Sequence, residues 1–215
     1  MSDIHAQLTP ELTGFVDSAL AELDRIPTER RRRLDELAAY VATRCEAAQP
    51  VKLTFICTHN SRRSQLAQIW AQTAAHIFGV RGVETFSGGT EATAFNPRAV
   101  AAVRRAGFLI EDPGTGDNPV IKVRFAAGSA PMRCFSKVID NPPNPSRGFA
   151  AVMTCSAADE ACPFVAGADV RVTLPYDDPG ASDGTAHEER TYDERCRQIA
   201  LEMLGLFCEV SPDHS

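Results

Sequence analysis

The chain reads as an α/β protein: a four-stranded parallel sheet with helices on both faces, preceded by a helical hairpin. Three observations predict this. From residue 51 onward, short β-branched and aromatic runs alternate with stretches of helical periodicity, the pattern of successive βαβ units. Before residue 51 the periodicity is helical only. A chain of 215 residues is long enough for one sizeable core, burying roughly 70% of its unfolded surface, and short for two full domains. We therefore divide it into an N-terminal hairpin, 1–50, and an α/β domain, 51–210.

The elements follow in order. Residues 1–9 read as a frayed end. A first helix starts near Pro10, with Leu12, Phe15, Val16, Ala19, Leu20 and Leu23 on one stripe, and Pro27 ends it. A second starts about Thr28, turns Leu34, Leu37, Ala38 and Val41 inward, and breaks at Gln49-Pro50. The Arg30-Arg31-Arg32-Arg33 run, diluted by nearby acids, reads as a solvated helix face. Strand 51–56 then feeds a cysteine-containing loop and a helix with Leu66, Ile69, Trp70, Thr73 and Ile77 inward, closed by Gly79. Strand 83–87 enters a Ser87-Gly88-Gly89-Thr90 turn, and Asn96-Pro97 opens a helix as N-cap and first residue, ending at Gly107. Residues 112–149, rich in proline and glycine, hold two β-like runs, Val120–Phe125 and Met132–Val138, that read as an inserted hairpin of unassigned role. Strand Ala150–Thr154 leads to Cys155, and strand Val170–Leu174 to Asp177-Asp178-Pro179. A capping box at Thr191–Glu194 opens the last helix, with Ile199, Met203, Leu204 and Phe207 inward. Loops at the carboxyl ends of parallel strands converge on a ligand.

Composition narrows the function. A net charge of −6 and a pI near 5.4 argue against nucleic acid and membrane surfaces as partners, since polyanions would repel the molecule as a whole. No apolar h-region and no apolar run of about 18 residues is present, so we expect a cytoplasmic protein. In that reducing compartment the seven cysteines are not a disulfide framework. Cys45, Cys196 and Cys208 fall on helical patterns and read as core residues, whereas Cys57, Cys155 and Cys162 fall at loops.

The most informative segment is Cys57-Thr58-His59-Asn60-Ser61-Arg62-Arg63-Ser64, between a strand and a helix. A strand-to-helix turn aims several N–H groups at one spot, and the helix dipole adds partial positive charge, a setting that favours an anion and a thiolate. The arginine six residues after the cysteine can grip an oxyanion bidentately. Nucleophile and anion cradle are then one element, comprising Cys57 as nucleophile and Thr58, His59, Asn60, Ser61, Arg62, Arg63 and Ser64 as oxyanion-binding residues. The bland alternative is an inert cysteine with solvated arginines. No metal site is expected, because the cysteine spacing is not Cys-x-x-Cys and His187 is the sole later candidate ligand.

This segment, with Asp177-Asp178-Pro179 and Cys155…Cys162-Pro163, resembles the superfamily of low-molecular-weight protein tyrosine phosphatases and thioredoxin-coupled arsenate reductases over about residues 51–208. The resemblance implies the low-molecular-weight phosphatase fold and a CX5R loop in which Cys57 is the nucleophile and Arg63 binds the oxyanion. It further implies that Asn60 shapes the loop, Ser64 steadies the thiolate and Asp178 is the general acid. Cys155 and Cys162 separate the branches, since the reductases pass the reaction through three cysteines to thioredoxin. The resemblance also implies that the segment between Cys155 and Cys162 melts on oxidation, because about two helical turns would otherwise hold the sulfurs roughly 10 Å apart.

Two departures stand out. His59 sits where the family usually has glycine, so its backbone is expected to tolerate a tight, left-handed turn or its ring to face the pocket. No tyrosines follow Asp178-Pro179, which weighs against phosphotyrosine recognition. The preferred expectation is an arsenate reductase with no bound cofactor and an external thiol reductant such as thioredoxin. The alternatives are a phosphatase hydrolysing phosphate monoesters through a cysteinyl-phosphate, or a non-enzymatic anion-binding protein.

Overall fold

A computed structural model describes residues 8–111, 114–161 and 164–211, so most of the end read as frayed and Cys162 itself lie outside the described residues. Helix α1 (Pro10–Leu20) is capped by Thr9, whose hydroxyl accepts from the Leu12 N–H. It stops short of Leu23, which falls in a 3₁₀ turn (Leu23–Arg25) before Pro27, and α2 spans Thr28–Glu46. Then follow β1 (Val51–Cys57), α3 (Arg63–Ile77), β2 (Val83–Gly89) and α4 (Pro97–Arg105). The Asn96 side chain caps α4 as expected, and Gly107 after it has φ +103, the left-handed backbone that glycine enters without penalty.

The insertion forms a hairpin of β4 (Ile121–Arg124) and β5 (Met132–Cys134), joined on its other edge by β3 (Leu109–Ile110) into an antiparallel three-stranded sheet. The chain continues with β6 (Phe149–Met153), the short α5 (Ser156–Ala161), β7 (Ala168–Thr173), a 3₁₀ turn at Pro179–Ser182 and α6 (Glu188–Glu209). The last helix begins three residues before the expected capping box. Thr191 donates its hydroxyl back to the His187 carbonyl inside the helix, so it is not the cap; the N-cap residue is His187, whose side chain makes no capping bond, and Thr185 and Glu188 instead accept from the His187 and Gly184 N–H groups of the preceding turn.

The main sheet has the order β2-β1-β6-β7, parallel throughout. Every residue of β6 is buried, as a central parallel strand covered on both faces requires. The two faces are unequal. One carries the main apolar core, in which Leu12 and Val16 of α1, Leu37 and Val41 of α2, Leu53, Trp70 and Phe207 form one cluster. Phe15 of α1 stacks on Trp70, centroids 5.1 Å apart, so the N-terminal hairpin shares this core. The other face is small: Phe149, Ala151 and Met153 meet Cys57, Cys155 and Ala158 there.

The arginine run is a solvated face only in part: Arg31 and Arg32 are exposed, as expected, but Arg30 and Arg33 are partly buried and engaged. Arg30 forms a bidentate pair with Glu202 and donates to the Pro175 carbonyl, Arg31 donates to the Leu23 and Ile26 carbonyls, and Arg33 reaches the Thr173 carbonyl. The polar carbonyl ends of β7 and the 3₁₀ turn need donors, and this helix face supplies them. Of the helical cysteines only Cys196 is fully in the core. Cys45 is exposed and Cys208 half-buried, because both lie in last turns that run past the cover of the sheet.

Candidate active site

Strand β1 delivers Cys57 as its last residue, and α3 begins at Arg63, so the intervening residues make one turn at the carboxyl edge of the sheet. The carbonyls of this turn all point outward. Cys57 O accepts from Thr90 N–H, Thr58 O from Glu91 N–H, His59 O from the Ser136 hydroxyl, Asn60 O from Gln65 Nε2 and Ser61 O from Asn96 N–H. In a planar trans peptide the N–H of the next residue points the opposite way. The N–H groups of residues 58–62 therefore turn toward the inside of the loop, which is the cradle the spacing predicts. A side chain at Gly89 would come within 2.8 Å of Asn60 N and 2.5 Å of Thr58 O, so this close approach of β2 to the loop requires glycine.

The left-handed residue of the turn is Asn60, with φ +47, rather than His59. Asparagine enters that region more readily than most residues because its short amide can bond locally, and here it does. Asn60 Nδ2 donates to Ser64 Oγ at 2.8 Å, leaving the Ser64 hydroxyl hydrogen for Cys57 Sγ at 3.1 Å. Asn60 Oδ1 accepts from Lys137 N–H, which fixes the amide's orientation. His59 lines the rim instead, with Nε2 3.5 Å from Glu91.

The inserted segment braces this loop from behind. Besides Lys137 N–H, the Ser136 hydroxyl bonds His59 O at 2.8 Å and accepts from Thr93 N–H, and Gln65 Nε2 bridges Asn60 O and Phe135 O. Gly89 and Val138 form a parallel bridge that ties β2 to the same stretch. Ser136 and Lys137 carry no signal as site residues in the sequence, since Lys137 acts through a backbone N–H that any residue carries and the Ser136 hydroxyl meets partners 77 and 43 residues away.

Arg63 reaches across the loop. Its Nη2 pairs with Asp178 Oδ2 at 2.7 Å and its Nη1 donates to Tyr176 O, while Nε has no partner although buried. Asp178 Oδ1 accepts from Gly180 N–H. Asp177, by contrast, is 97% exposed at its side chain and pairs with Arg195 at 3.3 Å. Arg62 turns away from the cradle: its Nε donates to the Tyr192 hydroxyl at 2.7 Å and its Nη2 pairs with Asp183. Of the expected anion ligands, then, Thr58, Ser61 and Arg62 can contribute through N–H groups only, because their side chains are engaged by Cys155, Ala94 O and Tyr192. Burial, then the bond to Asp183, pushes the Tyr192 phenol up to about 12, so it stays protonated as a donor in this network. The cavity enclosed by Cys57, His59, Ser61, Arg62, Arg63 and Asp178 is about 10 Å³, near the least that one water molecule requires.

Cys155 follows β6 and is buried beside the loop. Its Sγ lies 3.5 Å from the hydroxyl of Thr58, the residue after Cys57, and accepts from Ala158 N–H. Helix α5 follows at once and is pinned to β7 through Asp159, whose carboxylate takes Arg171 Nη2 at 2.5 Å and the Thr173 hydroxyl at 2.8 Å. The expected site residues Cys57, Arg63, Asp178 and Cys155 are thus brought together at one edge of the sheet. Among the described residues no group of acidic, histidine or cysteine side chains is placed to hold a metal.

No family model matches the chain. Arsenate reductase from Bacillus licheniformis is 30% identical over 156 residues, covering 73% of this chain and 94% of that protein. The chain belongs to the arsenate reductase family. Another member, arsenate reductase from Bacillus subtilis, is 29% identical over the same proportions. The fold is that of the wider superfamily: a low-molecular-weight phosphotyrosine phosphatase from Vibrio cholerae O395 superposes with a TM-score of 0.51 over 77% of this chain and 99% of its own, at 11% identity. This member of the family is a cysteine-dependent enzyme of the reductase or phosphatase class.

Proposed function

We propose that the chain reduces arsenate to arsenite through a relay of Cys57, Cys155 and Cys162, with thioredoxin as the external reductant. The observation that carries this reading is the second thiol: Cys155 is buried against the residue that follows Cys57, a position a phosphatase has no use for. The 30% identity to an arsenate reductase along nearly its whole length supports it.

In this reading arsenate takes the cradle, its oxygens held by loop N–H groups and by Arg63. The Cys57 thiolate attacks arsenic and Asp178 donates a proton to the departing oxygen, which leaves as water. The Cys155 thiolate then attacks Cys57 Sγ. The sulfur–arsenic bond breaks with its electron pair going to arsenic, so arsenite departs and two thiols have become a Cys57–Cys155 disulfide. Cys162 attacks Cys155, freeing Cys57, and thioredoxin reduces the Cys155–Cys162 bond. The last exchange needs α5 to unwind and the Asp159 clasp on β7 to open. We place the enzyme in the cytoplasm, a compartment that keeps thiols reduced and so available to the relay; among the described residues no helix is long and apolar enough to cross a membrane.

The test is arsenite formation by the purified chain with thioredoxin and thioredoxin reductase, with mass spectrometry of the arsenate-treated protein. Wild type is expected to form arsenite and show a Cys155–Cys162 disulfide; Cys155→Ser is expected to stall after the first attack. Steady release of phosphate from p-nitrophenyl phosphate by wild type and Cys155→Ser alike, with no arsenite, would replace the reductase reading with the phosphatase one.

A further inference from the structure

A second cavity, of about 430 Å³, opens between the edge strand β2, helix α3 and the inserted hairpin. Its volume lies in the range of small-molecule sites. Phe86, Phe125 and Met132 form apolar walls. Two buried polar side chains line it without adequate partners. Gln68 is 7% exposed, and its Oε1 accepts no hydrogen bond. Lys137 is 4% exposed; its ammonium has a single acceptor, Phe135 O at 3.5 Å, besides the Phe135 ring, and no carboxylate pairs with it among the described residues. Burial holds the Lys137 amine down to about 8, the cost of a charge set in an apolar wall without a counterion. At the rim, Arg133 and Glu84 offset each other, which leaves one net positive charge.

We propose that this cavity is a binding site for a small aromatic monocarboxylate. The carboxylate sits on the Lys137 ammonium, and the ring lies against Phe86, Phe125 and Met132 beside the Gln68 amide. A dianion such as phosphate is a poor occupant, because it would meet one buried cation, apolar walls and the Glu84 carboxylate at the rim. The site is built by the inserted hairpin and lies apart from the cysteine loop, so it stands independently of the reaction proposed above. Lys137 also belongs to the loop brace through its N–H, so an occupant would sit directly behind Asn60.

The experiment uses the full chain with ¹³C-methyl-labelled methionine and 4-hydroxyphenylacetate as probe. The Met132 methyl, identified by Met132→Leu, is expected to shift saturably, while Met153 beside Cys57 stays put; saturating inorganic phosphate leaves the titration unchanged. Lys137→Met weakens binding at least about tenfold, equivalent to the loss of about 1.4 kcal/mol. In wild type, 4-ethylphenol, which lacks the carboxylate, binds weaker by a similar factor, an arm that needs no variant to fold. No Met132 shift at millimolar probe, a shift at Met153 or displacement by phosphate overturns the proposal. Equal affinity for the two probes, or undiminished binding by folded Lys137→Met, does so as well.

Discussion

Replacing Arg30 by methionine tests whether the N-terminal hairpin is part of the machinery that holds the site. Arg30 is 15% exposed and Glu202 3%, and two hydrogen bonds join them, at 3.0 and 2.5 Å. Arg30 also donates to Pro175 O at 2.8 Å and lies 4.7 Å over the Tyr176 ring. Tyr176 in turn donates its hydroxyl to Glu202 Oε2, and its phenol is held well above the usual value by burial and then by the Glu202 charge, so it remains a donor. Through Tyr176 O the chain reaches Arg63. Methionine fills a similar volume without the charge, so the cost is that of leaving Glu202 buried and short of its partner. Removing one member of a buried pair costs about 3–5 kcal/mol. For a chain of this size that lowers Tm by roughly 6–20 °C. The companion Glu202→Met should also destabilise, but the double variant should lose at least about 2 kcal/mol less than the sum, since no orphan charge remains. Urea and thermal denaturation of the four proteins give the cycle. A loss below about 1 kcal/mol for Arg30→Met, with effects additive within about 0.5 kcal/mol, would refute the reasoning and return Arg30 to the solvent-facing role its sequence context suggests.

Two further outcomes follow from the loop. Ser136→Ala leaves His59 O and Thr93 N–H without their shared partner, and phosphate affinity is expected to fall about 5- to 30-fold, the equivalent of one or two kcal/mol; affinity unchanged at a temperature well below unfolding would remove Ser136 as a positioning residue. Asp178→Asn removes a negative charge from beside the cradle and frees Arg63 Nη2, so phosphate should bind as well or better while turnover falls about 10²–10⁴-fold. Asp177→Asn, out in solvent, should change neither. Parallel losses of binding and turnover in Asp178→Asn would show that the carboxylate builds the site rather than serving as its acid.

Much of the fold was legible because its signals are local. Alternating β and helical periods gave away the parallel sheet, and Asn96-Pro97 marked the start of α4 because cap and first-turn chemistry involve neighbours in sequence. Cys57 and Arg63 were legible as one spacing, whereas Asp178 was singled out by the family resemblance, the convergence of strand-end loops placing only its segment near the site. Other features depend on partners far along the chain. Which of four consecutive arginines points inward is decided by the position of Glu202, 172 residues away. The residue that turns left-handed is decided by Lys137 N–H and Ser64, which hold the Asn60 amide and favour asparagine over the neighbouring histidine. The bracing role of the insertion could not be read at all, since the Lys137 N–H leaves no trace in residue identity and the Ser136 hydroxyl meets partners 77 and 43 residues away.

The pairing of Arg63 also constrains how an oxyanion is accommodated. With Arg63 paired to Asp178 and room for about one water, an oxyanion of four oxygens enters only if that pair parts. Arg63 Nε already lacks a partner, so the guanidinium has an incentive to turn into the cradle, where an oxyanion satisfies Nε and Nη2 together. Asp178 then keeps its Gly180 N–H bond and the Arg62 Nη1 group 3.9 Å from Oδ1. In the proposed reaction, the exchange of partners at Arg63 thus couples entry of the anion to release of the Asp178 carboxylate from the guanidinium.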